Sequence, residues 1–397
     1  MSTVTFSVAR NDIKNVVDEN GDLSQVAVNV PSFEYNANGT YKGMLVESTS
    51  ENEIRNSEGG GSTNGVIGSG GVLPTNWATA ALNGIGVEVI GTGTEKGIEY
   101  VDLKFSGTAT ASASFSLRFE GGTQITAAQN EIWSGSVYMK YTDQTANPDL
   151  VRLGITAFDS VPAQVQSDTE TITLTSTLTR FKNENVELTD ATTATVNQSV
   201  FFTITNTQAY DFTVRFGLPQ LEESPCVTSV IKTTSAAVER LRDDIKNTSA
   251  TTYVGQTSGT IYAEVQVDQL ETTGGYILQA HDATDASNWR LILGNFNPNF
   301  NWQLRYGSGN TIAFTSTSST GNHKLALVYT DGDVRAYLDG TQVGSSSTSW
   351  GDFTSNQLDT IHIGASSFNG SEFNNWIRAF AFYKRALTDN EAKILTQ

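Results

Sequence analysis

The chain has 397 residues, with 42 Asp and Glu against 24 Lys and Arg, giving a net charge of −18 on a sequence only 17% charged. That balance argues against nucleic-acid partners, which need a basic footprint, and no apolar run approaches the roughly 18 residues of a membrane-spanning helix. A single cysteine, Cys226, closes no intrachain disulfide and builds no thiolate metal cage. The first residues show no apolar core of a secretory signal, so none is expected. Hydrophobic content of 38% with 10% aromatics is ample for packed cores.

In chain order, the first segment runs to about residue 57 and ends in a Gly-rich stretch, Ser57 to Gly65, expected to be a flexible connector. Beyond it, apolar and polar residues alternate with period 2, interrupted by Gly, Asn, Asp and Thr breaks. Tyr100–Phe105, Ala113–Phe119, Ile132–Tyr141, Leu150–Ala157 and Gln198–Thr205 all read as strands. Trp133 and Tyr138 are five apart on one of them and should face opposite ways. Val238, Leu241 and Ile245 stand at i, i+3 and i+7, which predicts a short helix over 236–245. Strand patterns resume after residue 254. Thr388 with Glu391 three residues later is a capping box and predicts a closing helix over 387–395. The expected architecture is all-β, as sandwich or jelly roll, divided into 1–57, a β domain over 66–222, a linker with the short helix over 223–253, and a second β domain over 254–397.

The chemistry-bearing patterns are few. There is no Gly-x-Ser-x-Gly elbow and no phosphate loop. His281, His323 and His362 are far apart in sequence and read as packed or surface residues. A glycosidase needs two carboxylates across a cleft. Glu264, Asp268, Asp331, Asp333 and Asp339 read instead as solvated turn acids, so no catalytic residue and no enzyme is expected. The loop 281–288 offers Asp282, Asp285 and Asn288 as oxygen ligands, which makes calcium the one candidate cofactor. Sugars are held by an aromatic face with amides and carboxylates on the hydroxyls. Three stretches combine both, giving Trp350, Asp352, Asn299, Asn301, Asn369 and Asn374 as candidate glycan contacts. Trp302 and Trp376 adjoin strand patterns and are expected in the core, whereas Trp350 lies among turn-like residues and is the surface candidate.

Three stretches carry a resemblance. Asn29-Val30-Pro31-Ser32-Phe33-Glu34-Tyr35, Lys42-Gly43-Met44-Leu45-Val46-Glu47 and Asn52-Glu53-Ile54-Arg55-Asn56-Ser57 resemble the N-terminal module of tailed-phage and prophage virion proteins. The sequence departs from that pattern at Ser32 and at Glu51-Asn52. Phe216-Gly217-Leu218-Pro219-Gln220-Leu221-Glu222-Glu223, with Pro225, Thr228-Ser229 and Ile231, resembles the segment ending a carbohydrate-binding-module-like jelly roll in those proteins. The last 140 or so residues, through Leu338-Asp339-Gly340-Thr341 and Tyr383-Lys384-Arg385-Ala386-Leu387-Thr388, resemble a laminin-G-like, concanavalin A-like sandwich. The resemblance implies a virion structural protein, exposed on the phage particle as fibre, spike or capsid decoration. Its N-terminal attachment segment would hold other virion proteins and its sandwiches host-surface glycan. A homotrimer with no nucleic-acid partner and no membrane insertion is implied too. The rival expectation is a decoration protein without ligand, and a polysaccharide-degrading enzyme is the least favoured.

Overall fold

The computed structural model describes residues 5–121, 125–270, 274–296, 298–353, 357–367 and 371–397. The alternating segments all form strands, and the chain is almost entirely β. Among the described residues no helix is long and apolar enough to cross a membrane.

The chain divides into two compact units, and the division is not the expected linear one. Ser50–Arg240 forms one unit, while Met1–Thr49 and Leu241–Gln397 together form the other. The first is thus an insertion into the second.

The inserted unit is a jelly-roll-like sandwich. Its sheet III orders Thr179–Glu187, Ile132–Ala146, Ala209–Glu222, Ile98–Thr108, Ile85–Glu95 and Gly65–Val66. Its sheet IV orders Gln164–Ile172, Leu150–Phe158, Thr195–Ile204, Ala113–Arg118 and Ala78–Ala80. Alternate residues along the central strands of both sheets enter one core. Its centre is aromatic: Phe105 lies 5.1 to 5.4 Å from the rings of Phe115, Phe202 and Phe212. As the spacing predicted, Trp133 belongs to this core and Tyr138, on the same strand, does not.

The motif residues of the jelly roll prove to be a polar knot tying its start to its end. The buried Asn52 amide donates to the carbonyls of Pro219 and Ile231, and its oxygen accepts from the Leu221 N–H. Ser50 and Thr228 hydroxyls both donate to Glu222. Gln220 accepts from Ile231 N–H at 2.8 Å. Ser50–Asn52 also pairs with Val238–Arg240 as a two-stranded ribbon, so the two ends of the insertion lie side by side. The Gly-rich connector is likewise fixed: Asn56 donates to Gly60 and Thr75 carbonyls and accepts from Gly60 N–H, and Ser57 is buried.

The second unit is a sandwich of two seven-stranded sheets. Sheet I orders Ser7–Ala9, Asp244–Asn247, Thr360–Ile363, Gly275–His281, Arg290–Phe296, Asn299–Arg305 and Thr311–Thr317. Sheet II orders Thr341–Ser346, Asp333–Leu338, Gly321–Thr330, Ser258–Val267, Asn375–Tyr383, Tyr41–Val46 and Phe33–Tyr35. The N-terminal segment is therefore not a separate module, because its strands complete an edge of each sheet. Its burial of Met44 and Val46 in the sandwich core supplies the reason. The Asp339-Gly340 hairpin forms as its sequence predicts, with φ of 47° and 76°.

The helix expected over 236–245 is absent. Val238–Arg240 and Asp244–Asn247 are strands in different units. Val238 and Leu241 are exposed and only Ile245 enters a core, so the helical spacing never had a common face to bury. The C-terminal helix Asp389–Leu395 does form, with both hydrogen bonds of the Thr388–Glu391 capping box.

Where the chain leaves and rejoins the composite sandwich, four charges are buried together. Asp243 receives Arg10 and Lys14, each at 2.7 Å, and Lys14 also reaches Glu47 at 2.8 Å. Backbone bonds join Glu47 to Asp243: Asp243 N–H donates to the Glu47 carbonyl at 3.0 Å, and Glu47 N–H to the Asp243 carboxylate at 3.1 Å. Each ion needs several partners to offset its desolvation, and Arg10 finds them in Ser32 Oγ and the Ala27 and Asp12 carbonyls.

Candidate functional site

The candidate glycan residues do not converge. Trp350 is only 6% exposed and packs in the sandwich core 4.8 Å from Phe353, its Nε1 donating to the Thr330 carbonyl. Asp331 creates this arrangement. Its carboxylate accepts from the Trp350 and Gly351 N–H groups and from Ser349 Oγ, and these bonds, Trp350 first, hold it below the ordinary carboxylate range. Asp352 is exposed beside that loop. Asn374, at a φ of 48°, accepts from Ser48 N–H at 2.7 Å and secures the chain. Asn369 lies outside the described residues. Trp302 is buried as expected; Trp376 is only half-buried, with Lys42 over its ring at 3.2 Å.

The calcium loop gathers no ligand set. Asp282 Oδ1 accepts from Thr284 N–H, Thr284 Oγ1 and Asp285 N–H, the pattern of a turn former. Asn288 turns its amide N–H toward both oxygens of Asp285, at 3.1 Å each, and so presents a donor where a metal needs an acceptor. Among the described residues no three His, Cys, Asp or Glu side chains group as a metal would require.

The turn acids are engaged locally: Glu264 with Arg378, Asp268 with Lys42 and Asp333 with Arg335. Ser319, His323 and Asp339 have the contact order of a hydrolytic triad, at 3.2 and 2.8 Å. The His323 Nε2 also stands 3.0 Å from the Ser319 carbonyl, which only a donor satisfies. A general base needs its lone pair there, so the contacts fasten the loop rather than activate the serine.

Asn299 and Asn301 lie together on one polar face. Their strand reads Asn299-Phe300-Asn301-Trp302-Gln303-Leu304-Arg305, with the apolar residues in the core and the polar ones on the outer face of sheet I. One row of partners crosses all seven strands of that face: Ser7, Lys246, His362, Gln279, Ile292, Gln303 and Ala313. The next row places Thr360, His281, Arg290, Arg305 and Thr311 side by side. Tyr276 and Phe296 meet edge to face at 5.1 Å beside Asn301. Gly294 makes room for this pair, since a Cβ there would come within 2.2 Å of the Phe296 ring.

The floor of this face is polar and buried. Gln279 is 0%, His281 3% and His362 8% exposed, and the two imidazoles lie 5.1 Å apart. Burial lowers the pKa of His281; burial, then repulsion from His281, pushes His362 down to about 4. Both are neutral at pH 7. His281 Nδ1 donates to the Asp282 carbonyl at 2.9 Å, which leaves Nε2 as an acceptor. His281 Nε2, His362 Nδ1, Gln279 Nε2 and Arg305 Nε are buried with no hydrogen-bond partner among the described residues. Donors and acceptors thus lie together just beneath this face, a mixture of the kind a sugar hydroxyl could match because it both gives and takes a hydrogen bond. The sequence signal for Gln303 and Arg305 was the run of alternating polar residues after Asn299. Gln279, His281 and His362 meet only through strand pairing across more than 80 residues of chain.

Residues 242–393 match the family model described as the concanavalin A-like lectin/glucanases superfamily. No curated protein matches the chain. Among solved structures, the chain is similar to the CBM40 domain of the Ruminococcus gnavus IT-sialidase, at 14% identity and a TM-score of 0.32, over 36% of this chain and 84% of that one. Domain 4 of AbnA, a GH43 extracellular arabinanase from Geobacillus stearothermophilus in complex with arabinotriose, is similar at 18% identity and a TM-score of 0.34, over 43% and 82%. The SAP-like pentraxin of Limulus polyphemus is similar at 14% and 0.28, over 36% and 70%. The matched segment begins after the inserted jelly roll, so the strands from residues 7–46 extend the sheets beyond it. Residues 242–393 form a concanavalin A-like domain of the laminin G-like type.

Proposed function

We propose that this protein is a non-enzymatic glycan-binding component of a tailed-phage particle, exposed on the virion, with the outer face of sheet I as its sugar site. The observation that carries the glycan reading is the buried polar floor of Gln279, His281 and His362 beside half-buried Asn301, Gln303, Arg305 and Tyr276. Amides, neutral imidazoles and an aromatic edge on one apolar-backed face suit a polyhydroxylated ring. The match to a lectin and glucanase family model supports the same ligand class. The virion role is supported by the motifs of residues 29–57 and 216–231. Within the attachment segment, the edge strand Phe33–Tyr35 with exposed Val28, Val30 and Phe33 is the part that other virion proteins would meet.

A glycan array with the full chain tests the reading. Binding should fall at least tenfold in Asn301→Ala and Gln303→Ala, both half-buried and replaceable without opening the core. Absence of binding by the folded chain would favour the decoration role without ligand, and release of reducing ends from a bound polysaccharide would overturn the non-enzymatic part. Mass spectrometry of purified particles that lack the chain would sink the virion role, and a monomer in light scattering would sink the implied trimer.

A further inference from the structure

The jelly roll carries 21 acidic against 11 basic residues, so a cation there has no shortage of partners. On the outer face of sheet III the cations take them. Arg215 forms a two-pronged pair with Asp102 at 2.9 and 2.8 Å and also meets Glu95, Lys140 reaches Glu95 at 2.7 Å, and Lys104 reaches Asp211 at 2.9 Å.

The outer face of sheet IV is built differently. One row of strand partners is Thr171, Arg152, Phe201, Ser116 and Ala80, and the next is Thr169, Gly154, Ser199, Arg118 and Ala78. Neither row contains an acid. Arg118 and Arg152 form no ion pair with any described residue. Arg152 donates to Ser114 Oγ at 3.1 Å, and its Nε is buried with no hydrogen-bond partner among the described residues. Arg118 lies 5.8 Å above the Phe158 ring, and Arg152 the same distance from Phe201. Between them Phe201 lies across Gly154, where a Cβ would come within 2.5 Å of the ring. One strand and two residues of register separate the two arginines, roughly 12 Å at their backbone positions, with Phe201 on the strand between them.

We propose that this face binds a single oxyanion substituent, a carboxylate or sulfate ester, carried on a sugar ring. The guanidinium groups supply fork-shaped donors that match a planar or tetrahedral oxyanion. Phe201 supplies the apolar surface under the ring, and the half-buried Thr169 stands on the same face. The net charge of −18 repels a dense polyanion, so the face selects isolated anionic substituents along an otherwise neutral polymer. The site belongs to the other unit from the one on sheet I, and the two stand or fall separately.

Titration of the full chain with glucuronic acid, glucose 6-sulfate, glucose and inorganic sulfate, read by calorimetry and by the arginine Nε–H signals in NMR, tests the proposal. Both anionic sugars should bind at least tenfold more tightly than glucose and than inorganic sulfate, and should shift the signals of Arg118 and Arg152. Arg118→Gln and Arg118→Glu should each lose that binding, while Lys104→Gln on the opposite sheet should retain it. Arg118 is half-buried and lies over the Phe158 ring without an ion pair to a described residue, so its variants should fold, which an unchanged amide spectrum verifies. Equal binding of glucose would overturn the proposal, as would equal binding of inorganic sulfate or an Arg118→Gln variant as good as the wild type.

Discussion

The two sandwiches of this chain reach closure by different means. The jelly roll is continuous in sequence, and its centre is a stack of phenylalanines: Phe105, Phe115, Phe202 and Phe212. The composite sandwich draws its strands from residues 7–46 and from 244 onward, and its core is mainly Ile, Leu, Val and Ala. At the seam between those pieces it buries Arg10, Lys14, Glu47 and Asp243. Apolar contact is non-directional and serves a chain whose neighbours are already near. A seam between remote segments needs an interaction that fits in only one register, and a buried charge cluster punishes every other one.

The most severe break of this comparison is Asp243→Ala, which leaves Arg10 and part of the Lys14 charge buried without their acceptor. The expected loss is about 3–5 kcal/mol, confined to the composite sandwich. In segment-resolved hydrogen exchange, peptides from Gly275–His281 should lose protection while those from Ile98–Thr108 keep it. Equal loss in both would dissolve the distinction. Phe202→Leu is the mirror case, with about 2 kcal/mol lost from the jelly roll through incomplete filling of the aromatic centre, read as a lower denaturant midpoint for peptides of Thr195–Ile204 alone.

Acidification separates the units most gently. All three histidines lie in the composite sandwich. The folded form of His362 resists protonation down to about pH 4, whereas an unfolded imidazole accepts a proton near 6.5. The unfolded chain therefore binds more protons between those values, and stability falls as the pH drops through that window. A loss of about 1–2 kcal/mol from pH 7 to 5 is expected in the composite sandwich. Burial raises the carboxyl pKa of Glu53, Glu58 and Glu223 in the jelly roll, so those groups oppose any acid loss there. Thermal scans of His362→Gln should show a flatter pH profile, and an unchanged slope would refute the assignment.

The period-2 pattern made the strands legible, because each alternation is a local property that its sheet merely completes. The capping box and the Asp-Gly turn were legible for the same reason. What the pattern hid was pairing over long separations. Polar neighbours made Trp350 look exposed, although Asp331, nineteen residues earlier, folds its loop inward. Ser57 to Gly65 looked loose because the Asn56 side chain that fixes it carries no compositional signal. The spacing of Val238, Leu241 and Ile245 fits a helix, yet the unit boundary falls between Arg240 and Leu241. The polar alternation of Asn299 to Arg305 was visible, and the histidine floor across the sheet was not.

The ribbon joining Ser50–Asn52 to Val238–Arg240 bears on the order of events during synthesis. Ser7–Ala9 and Tyr41–Val46 are made first, but their partners Asp244–Asn247 and Asn375–Tyr383 are made last. Closing an open chain of that length is slow and leaves Met44 and Val46, buried in the finished sandwich, uncovered until then. Once the jelly roll has folded, the ribbon brings its two ends together, and the remaining closure spans only the few residues on either side. The paired ends of the insertion thus shorten the loop that the N-terminal strands must close to meet their partners.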